Sequence, residues 1–329
     1  MVAEAPAREY TDSATGARWR ETMPKFAVTK SITIDAPAAK VWPHVRQFEN
    51  WVAWSPWLCA EPDCKVTYQD DRKGYGWEGK IVGSGKIDLL ADAEPSSMDM
   101  KLTFLAPWKS ENDTAFKLDE RDGKTTVTWE MSGSLPFFLF FMKKMMTAWV
   151  GMDYERGLSM LKAIVETGSN PSQLDFPGTA SFSGTDYVGV RSACSLAKIG
   201  PSMEADMKKL GAFMQEGSHE ASGAPLSIYH KFNPVKDQAE YTIAVPVASK
   251  PASVPSGIVT GTIPALQTYR IKHTGPYPHL GNAWAAGVMH ERAKRYAKNK
   301  SQHPFEVYEN DPTEVAANDL VTVVHFPVK

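Results

Sequence analysis

The 329 residues carry 36 Lys plus Arg against 38 Asp plus Glu, a formal charge of -2, with 43% hydrophobic and 22% charged residues. This is the balance of a globular chain with a sizeable core, and it gives no overall pull toward nucleic acid or anionic lipid. At roughly 150 residues per domain, two cores are expected.

The opening stretch, MVAEAPAREYTDSATGARWRETMPKF, is polar and lacks the apolar core of a secretion signal. Residues 1–25 therefore read as a flexible leader and the chain as cytoplasmic. The longest apolar run, LPFFLFFM from Leu135 to Met142, has eight residues; a membrane span needs roughly 18 to 20, so none is expected. The three cysteines, Cys59, Cys64 and Cys194, show no repeated CxxC spacing, and buried free thiols are expected in place of a zinc site or a disulfide framework.

From Phe26 the chain alternates as a strand, FAVTKSITIDAP, and then turns to helical spacing at Val41, Val45 and Phe48, with Pro43 placed in the first helical turn. Strand-like runs follow: CKVTYQ, YGWEGKIVGSGKIDLLADAEP, SMDMKLTFLAP and DTAFKLDERDGKTTVTWEMSGSL. Within the last, Asp122-Gly123 marks a tight hairpin. A helical segment then runs to about Glu166, with Met145, Trp149, Met152, Leu158, Leu161 and Val165 near one stripe.

The order of strand, short helices, antiparallel meander and one long helix, with the phrases SITIDAPAAKVW, WVAWSPW and WEMSGSLPFF, resembles the START-like polyketide cyclase and lipid-transport superfamily (SRPBCC), over residues 26–168. The resemblance implies a helix-grip fold whose sheet curls round the long helix and leaves an apolar cavity. Trp77, Trp108, Trp129 and Trp149 are the candidates to line it, with plain core packing as the alternative. The polar candidates His44, Asp63, Glu78 and Glu130 fall at no spacing that implies a shared catalytic task. The Phe137 to Phe141 cluster, followed by Lys143-Lys144, reads as a core helix in preference to a lipid-facing patch.

Between Thr167 and Gly184 the chain fills with Gly, Ser, Pro and Asn, which is how a linker looks, and 169–180 is assigned to one. Eight of the ten tryptophans lie between Trp42 and Trp149, and one, Trp284, lies beyond the linker, so the two halves should have different cores.

The second half repeats itself. Arg191, Ile199, Gly200 and Met203 match Lys272, Leu280, Gly281 and Trp284 at an offset of 81; Tyr229 matches Tyr308 at 79, and Pro246 matches Pro327 at 81 again. Each copy, about 181–247 and 261–328, reads strand, helix, strand, turn, strand. Two such copies pack most simply about a pseudo-twofold axis with a cleft between them. The motifs TGPYPHLGNAW, PFEVYENDP and VVHFPV make residues 181–329 resemble the GyrI-like effector-binding family, so that the whole chain is expected to be α+β.

That resemblance implies a central cleft for varied small molecules, often aromatic or cationic, and some relatives look like hydrolases of reactive electrophiles. Carried over residue by residue, the expected cleft side chains are Tyr229, Tyr269, Ile271, Tyr277, Trp284 and Tyr308. Many relatives place an acid in the last strand, four positions before the proline, where this chain has Val323. The missing carboxylate puts cation selectivity and hydrolase chemistry in doubt. His325, two residues on, shares its strand face and is included as a switchable polar group. Glu240, Glu306 and Glu309 remain as acids, with solvated strand ends as their ordinary reading. The basic run HERAKRYAKNK, His290 to Lys300, reads as the exposed end of a helix and not as a nucleic-acid site.

There is no P-loop, no GxGxxG after a strand and no HExxH, so no cofactor and no metal is expected. The leading reading is a binding protein, sensor or carrier, with two cavities for small hydrophobic or aromatic ligands and no nucleic acid. The alternatives are a metal-free hydrolase or cyclase acting through tyrosines, His325 or a glutamate, and a ligand-responsive regulator acting through a protein partner.

Overall fold

The structure, a computed structural model, describes residues 25–106, 109–134, 141–217 and 219–329. The polar leader up to residue 24, Trp108, and the apolar run up to Phe140 lie outside the described residues.

The chain begins with strand β1, Lys25–Ile34, and helix α1, Ala38–Arg46. Strands β2 (Lys65–Tyr68), β3 (Gly74–Glu78), β4 (Ser84–Ala93), β5 (Ser97–Ala106), β6 (Ser110–Arg121) and β7 (Lys124–Ser134) then form a meander. All seven strands join one antiparallel sheet in the order β1-β7-β6-β5-β4-β3-β2. The Asp122-Gly123 hairpin is as expected: both residues have positive φ, 52° and 74°, between the paired Arg121 and Lys124, the backbone that a two-residue turn between twisted strands requires.

Helix α2, Lys143–Thr167, lies on this sheet. Its buried stripe is Tyr154, Leu158, Leu161 and Val165, spaced so that one face meets the core. Gly168 ends it in the left-handed conformation, its N–H reaching the carbonyl of Ile164. The core beneath is aromatic: Trp129 stacks between Tyr154, at 3.9 Å and 11°, and Phe116, at 4.9 Å. Pro43 sits inside α1 and not in its first turn. Its missing donor is tolerated because the helix is short and Val41 and Val45 bury on either side of it.

The stretch expected to be a linker is largely strand β8, Gln173–Phe182; its small residues alternate in a ladder with the second half. Beyond it come β9 (Thr185–Cys194), α3 (Ile199–Glu216), β10 (Leu226–Asn233), β11 (Gln238–Val247), β12 (Val259–Ile263), β13 (Leu266–Thr274), α4 (Gly281–Arg292), β14 (Phe305–Tyr308) and β15 (Val321–Pro327). They form a second antiparallel sheet ordered β12-β9-β11-β10-β14-β15-β13-β8.

This order reads alike from both ends, and the register shows the repeat residue by residue. Phe182 pairs with Leu266 and Thr185 with Ile263, and Ile263 and Leu266 stand 81 after Phe182 and Thr185, their matches in the repeat. The outer strand of each copy is therefore exchanged: β8 pairs with the second copy's β13, and β12 with the first copy's β9. At the centre, Leu226 faces Val307, Ser227 faces Glu306 and Ile228 faces Phe305, so the pseudo-twofold passes between Ser227 and Glu306. One face carries α3 over Val190, Tyr241 and Ile243, and α4 over Tyr269, Ile271 and Val324. The other face buries Leu226, Ile228, Phe305 and Ile263.

The basic stretch begins in the last turn of α4, and its Arg292, Lys294, Arg295 and Lys300 are exposed as expected, while two uncharged rings turn inward. His290 and Tyr296 are buried; the His290 Nε2–H donates to the carbonyl of Ala60 at 2.8 Å, and Nδ1 accepts from the Tyr269 hydroxyl at 2.7 Å. That bond ties the second half to the 3-10 turn Leu58–Ala60 of the first.

Replacing Trp129 with alanine should cost about 3–5 kcal/mol, as deletion of a stacked core aromatic does, whereas Trp149→Ala on the outer side of α2 should cost less than half of that. Urea unfolding followed by circular dichroism measures both; equal losses would mean that the stack contributes no more than ordinary cover.

Candidate functional site

Strand alternation in FEVY points Glu306 and Tyr308 to the helix-bearing face and Phe305 and Val307 to the other. Glu306 thus stands at the centre of the sheet, 1% exposed, where the two halves meet. Its carboxylate accepts from three side chains. The Trp284 indole N–H, from α4, reaches Oε1. The Tyr308 hydroxyl donates to Oε2 at 2.7 Å and the Tyr229 hydroxyl at 3.1 Å. With the Tyr308 proton engaged there, Ser227 Oγ, 2.8 Å away, donates to Tyr308. A directed chain runs from Ser227 through Tyr308 to Glu306.

The rings close round this knot. Tyr229 meets Trp284 edge-on at 4.7 Å, and Tyr277 meets Tyr308 edge-on at 5.6 Å. Tyr277, 38% exposed, forms the rim. Tyr229, Trp284 and Tyr308 are themselves only half-buried, around a carboxyl that is fully buried.

Burial pushes the Glu306 carboxyl above its ordinary value of 4.5, and the bonds from Trp284, Tyr308 and Tyr229 hold it back in part. Burial and the neighbouring carboxylate keep Tyr229 and Tyr308 protonated far above neutrality. The repeat is broken here: Ser227 occupies the position matching Glu306, and Met203 the one matching Trp284. One half supplies acid and indole, the other a hydroxyl and a thioether.

Of the side chains expected in the cleft, Tyr229, Tyr277, Trp284 and Tyr308 come together here. Tyr269 and Ile271 do not; they pack under α4, with Tyr269 stacked on Tyr296 at 4.6 Å. Val323 and His325 lie on the opposite face, because β15 pairs them with Val307 and Phe305. His325 stacks flat on Phe305 at 4.6 Å and 5°, and its Nδ1 lies 3.0 Å from the Thr268 hydroxyl. Burial holds it down at about 4. Val323 offers no acid, and the acid that lies among the four aromatics is Glu306. In the sequence it stands two residues before Tyr308 and matches Ser227 in the repeat, although a glutamate at a strand end is ordinarily solvated. Glu240 pairs with Arg191 at the surface.

In the first half an aromatic cavity of about 80 Å³ lies between the sheet and α2, lined by Trp51, Trp57, Tyr75, Trp77, Trp129 and Tyr154 among others. Trp77 and Trp129 are thus on its wall. Trp149 is not: it leaves the outer side of α2 and approaches Phe232 of β10 at 6.4 Å. Trp108 lies outside the described residues. Glu78 and Glu130 are engaged with Lys65 and Lys117 on the solvent side, and burial lowers His44. Among the described residues no group of three His, Cys, Asp or Glu could hold a metal ion, and no helix is long and apolar enough to cross a membrane. The thiols of Cys59 and Cys64 are pushed up to about 11 by burial, which leaves them unreactive near neutrality.

Residues 25–166 match the family model described as polyketide cyclase / dehydrase and lipid transport, and residues 188–329 match the GyrI-like small molecule binding domain. The chain is a fusion of a START-like domain of the first kind with a GyrI-like domain. No curated protein matches it. Among solved structures it is similar to EcmrR in the cryo-EM structure of an EcmrR–DNA complex, at 14% identity over 56% of this chain and a TM-score of 0.42. This chain spans 65% of the length of that one. It is also similar to the EcmrR C-terminal domain, at 16% identity over 48% of this chain and 98% of that one, TM-score 0.37. The protein MLL2253 from Mesorhizobium loti gives 13% over 42% of this chain and 96% of that one, TM-score 0.34.

Burial sets opposed pH dependences. His230, His273 and His325 are each held near 4, against an ordinary 6.5, so the stability they contribute is complete above pH 6.5 and is lost as the pH falls through 4. Glu306, raised above 4.5, contributes in the other sense: its stability is complete below pH 4.5 and is lost as the pH rises through the raised value. Melting midpoints should therefore drop between pH 6.5 and 4, and Glu306→Gln should gain on the parent as the pH rises toward 8. A constant difference between variant and parent across that range would place the carboxyl in water.

Proposed function

We propose that the protein binds small aromatic or apolar molecules as a sensor or carrier, with its principal site at Glu306 in the second domain and an apolar site in the first. The helix-grip reading covers 26–168 and the duplicated GyrI-like unit, expected over 181–329, takes in β8 as well, so that the joint falls between the end of α2 and β8. The observation that carries the reading is a carboxylate buried on the pseudo-twofold with no cationic partner among the described residues, its donors being two phenols and an indole. A buried acid of that kind is completed by a ligand bearing positive charge or an N–H, with rings to stack on Tyr229, Tyr277 and Tyr308. The aromatic first cavity, small and almost wholly apolar in its lining, suits an uncharged group.

A catalytic second reading draws on the directed chain from Ser227 through Tyr308 to Glu306: as the Ser227 oxygen attacks a bound electrophile, its proton passes through Tyr308 to Glu306, which returns it to the leaving group, and water then hydrolyses the ester left on Ser227. In that reading Tyr308→Phe abolishes turnover of ester or strained-ring substrates and leaves the fold intact. A regulator working through a protein partner is the third, and co-purification discriminates it.

A thermal-shift series decides the leading reading. Tetraphenylphosphonium should raise the melting midpoint of the parent through linkage, and Glu306→Gln should weaken its binding at least tenfold, about 1.4 kcal/mol. A fatty acid should stabilise both proteins alike. Binding of the cation that survives the substitution would remove Glu306 from the site.

A further inference from the structure

The two candidate sites are joined by a line of side chains that crosses from one domain to the other. Trp57, on the wall of the first cavity, donates its indole N–H to Asp153 Oδ2 at 3.1 Å. Asp153 Oδ1 accepts from Arg156 Nη2 at 2.5 Å, and Arg156 Nη1 donates to Asn282 Oδ1 at 2.8 Å. Asn282, 1% exposed, opens α4 two residues before Trp284, the indole on Glu306. Its amide nitrogen donates to Ser172 Oγ at 2.9 Å, which fixes the orientation of the amide. Asp153 and Arg156 expose only 17% and 12% of their side chains, so water screens the pair little. Both lie on α2, beside the face whose Tyr154 and Leu158 fill the first core.

We propose that Arg156 is a positioning residue for Glu306: an occupant of the first cavity that moves Trp57 shifts Asp153 and Arg156, and with them the first turn of α4 and the meeting of Trp284 with the carboxylate. The proposal rests on the reading of Glu306 as the ligand-facing acid. Its physical basis is the guanidinium fork, planar and engaged on two sides at once, so that its two partners cannot move independently. A helix passes such a shift along as a rigid element, and the coupling is reciprocal by linkage.

Indole N–H resonances of the full-length, ¹⁵N-labelled protein test this without any ligand. Trp57 and Trp284 are assigned by Trp57→Phe and Trp284→Phe, and the Trp284 signal should follow the titration of Glu306. The titratable groups facing that carboxyl are Tyr229 of β10, Tyr308 of β14 and Tyr277 of the turn before α4. All three are phenols raised by burial, which keep their protons below pH 9. Arg156→Met and the near-isosteric Asp153→Asn should each move the Trp284 titration midpoint by about half a pH unit or more, a threefold change in proton affinity. Arg156→Lys, which keeps the charge and loses the fork, should behave as Arg156→Met does. Glu306→Gln should in turn move the Trp57 signal.

The Trp129 indole, bonded to Thr114 in the first core at 3.2 Å, should stay in place throughout as the check on folding. A Trp284 signal indifferent to pH, a midpoint unmoved in Arg156→Met and Asp153→Asn, or an Arg156→Lys protein indistinguishable from the parent each overturns the proposal. Shifted midpoints in a protein that ignores tetraphenylphosphonium would keep the relay and discard the ligand reading.

Discussion

Burying a carboxylate costs several kcal/mol unless its oxygens are fully bonded, and the second domain is arranged around one such group. Glu306 lies where the two copies of the repeat meet, and each side chain that satisfies it comes from a different element: Tyr229 from β10, Tyr308 from β14 and Trp284 from α4. Two β-strands and a helix must therefore be in place together for the acid to be accommodated. These donors are themselves half-buried, so the acid is covered by a knot of aromatic and polar groups whose outer edges remain exposed.

Duplication explains why an acid can stand there at all. A symmetric pair of glutamates on the axis would face each other across one register position, two like charges in a buried place. The chain has instead kept the tyrosine in both copies and let the axial pair diverge to Ser227 and Glu306. The divergence makes the site directional: its acid and indole come from the second copy, its hydroxyl and thioether from the first.

Helix α2 belongs to both halves. Tyr154, Leu158, Leu161 and Val165 close the first core, while Trp149, Arg156 and Met160 meet Phe232 and Asn282 of the second domain. This dual role accounts for the placement of Trp149. Its spacing fits a helical stripe, but the stripe that buries is set by which residues meet the sheet, and tyrosine and leucine occupy those positions. Periodicity located the helix; it did not tell which of two apolar stripes faced the cavity and which faced a neighbour.

Local chemistry determined what is local. The Asp122-Gly123 turn, most of the strands, the end of the long helix and the repeat with its offsets of 81 and 79 are written in residue types and spacings, because backbone conformation and side-chain alternation act over a few residues. The resemblance added four of the aromatics now found round the acid. The rest depended on contacts between distant segments. Val323 and His325 turn away from the site because the register of β14 with β15 pairs them with Val307 and Phe305, and register is a property of two strands at once. Strand β8 looked like a linker because the partner that gives it a ladder is β13, in the other copy of the repeat. Glu306 became a buried acid, and not a solvated strand end, only when the two copies closed over it, since burial is set by what packs against a residue and not by its neighbours in the chain.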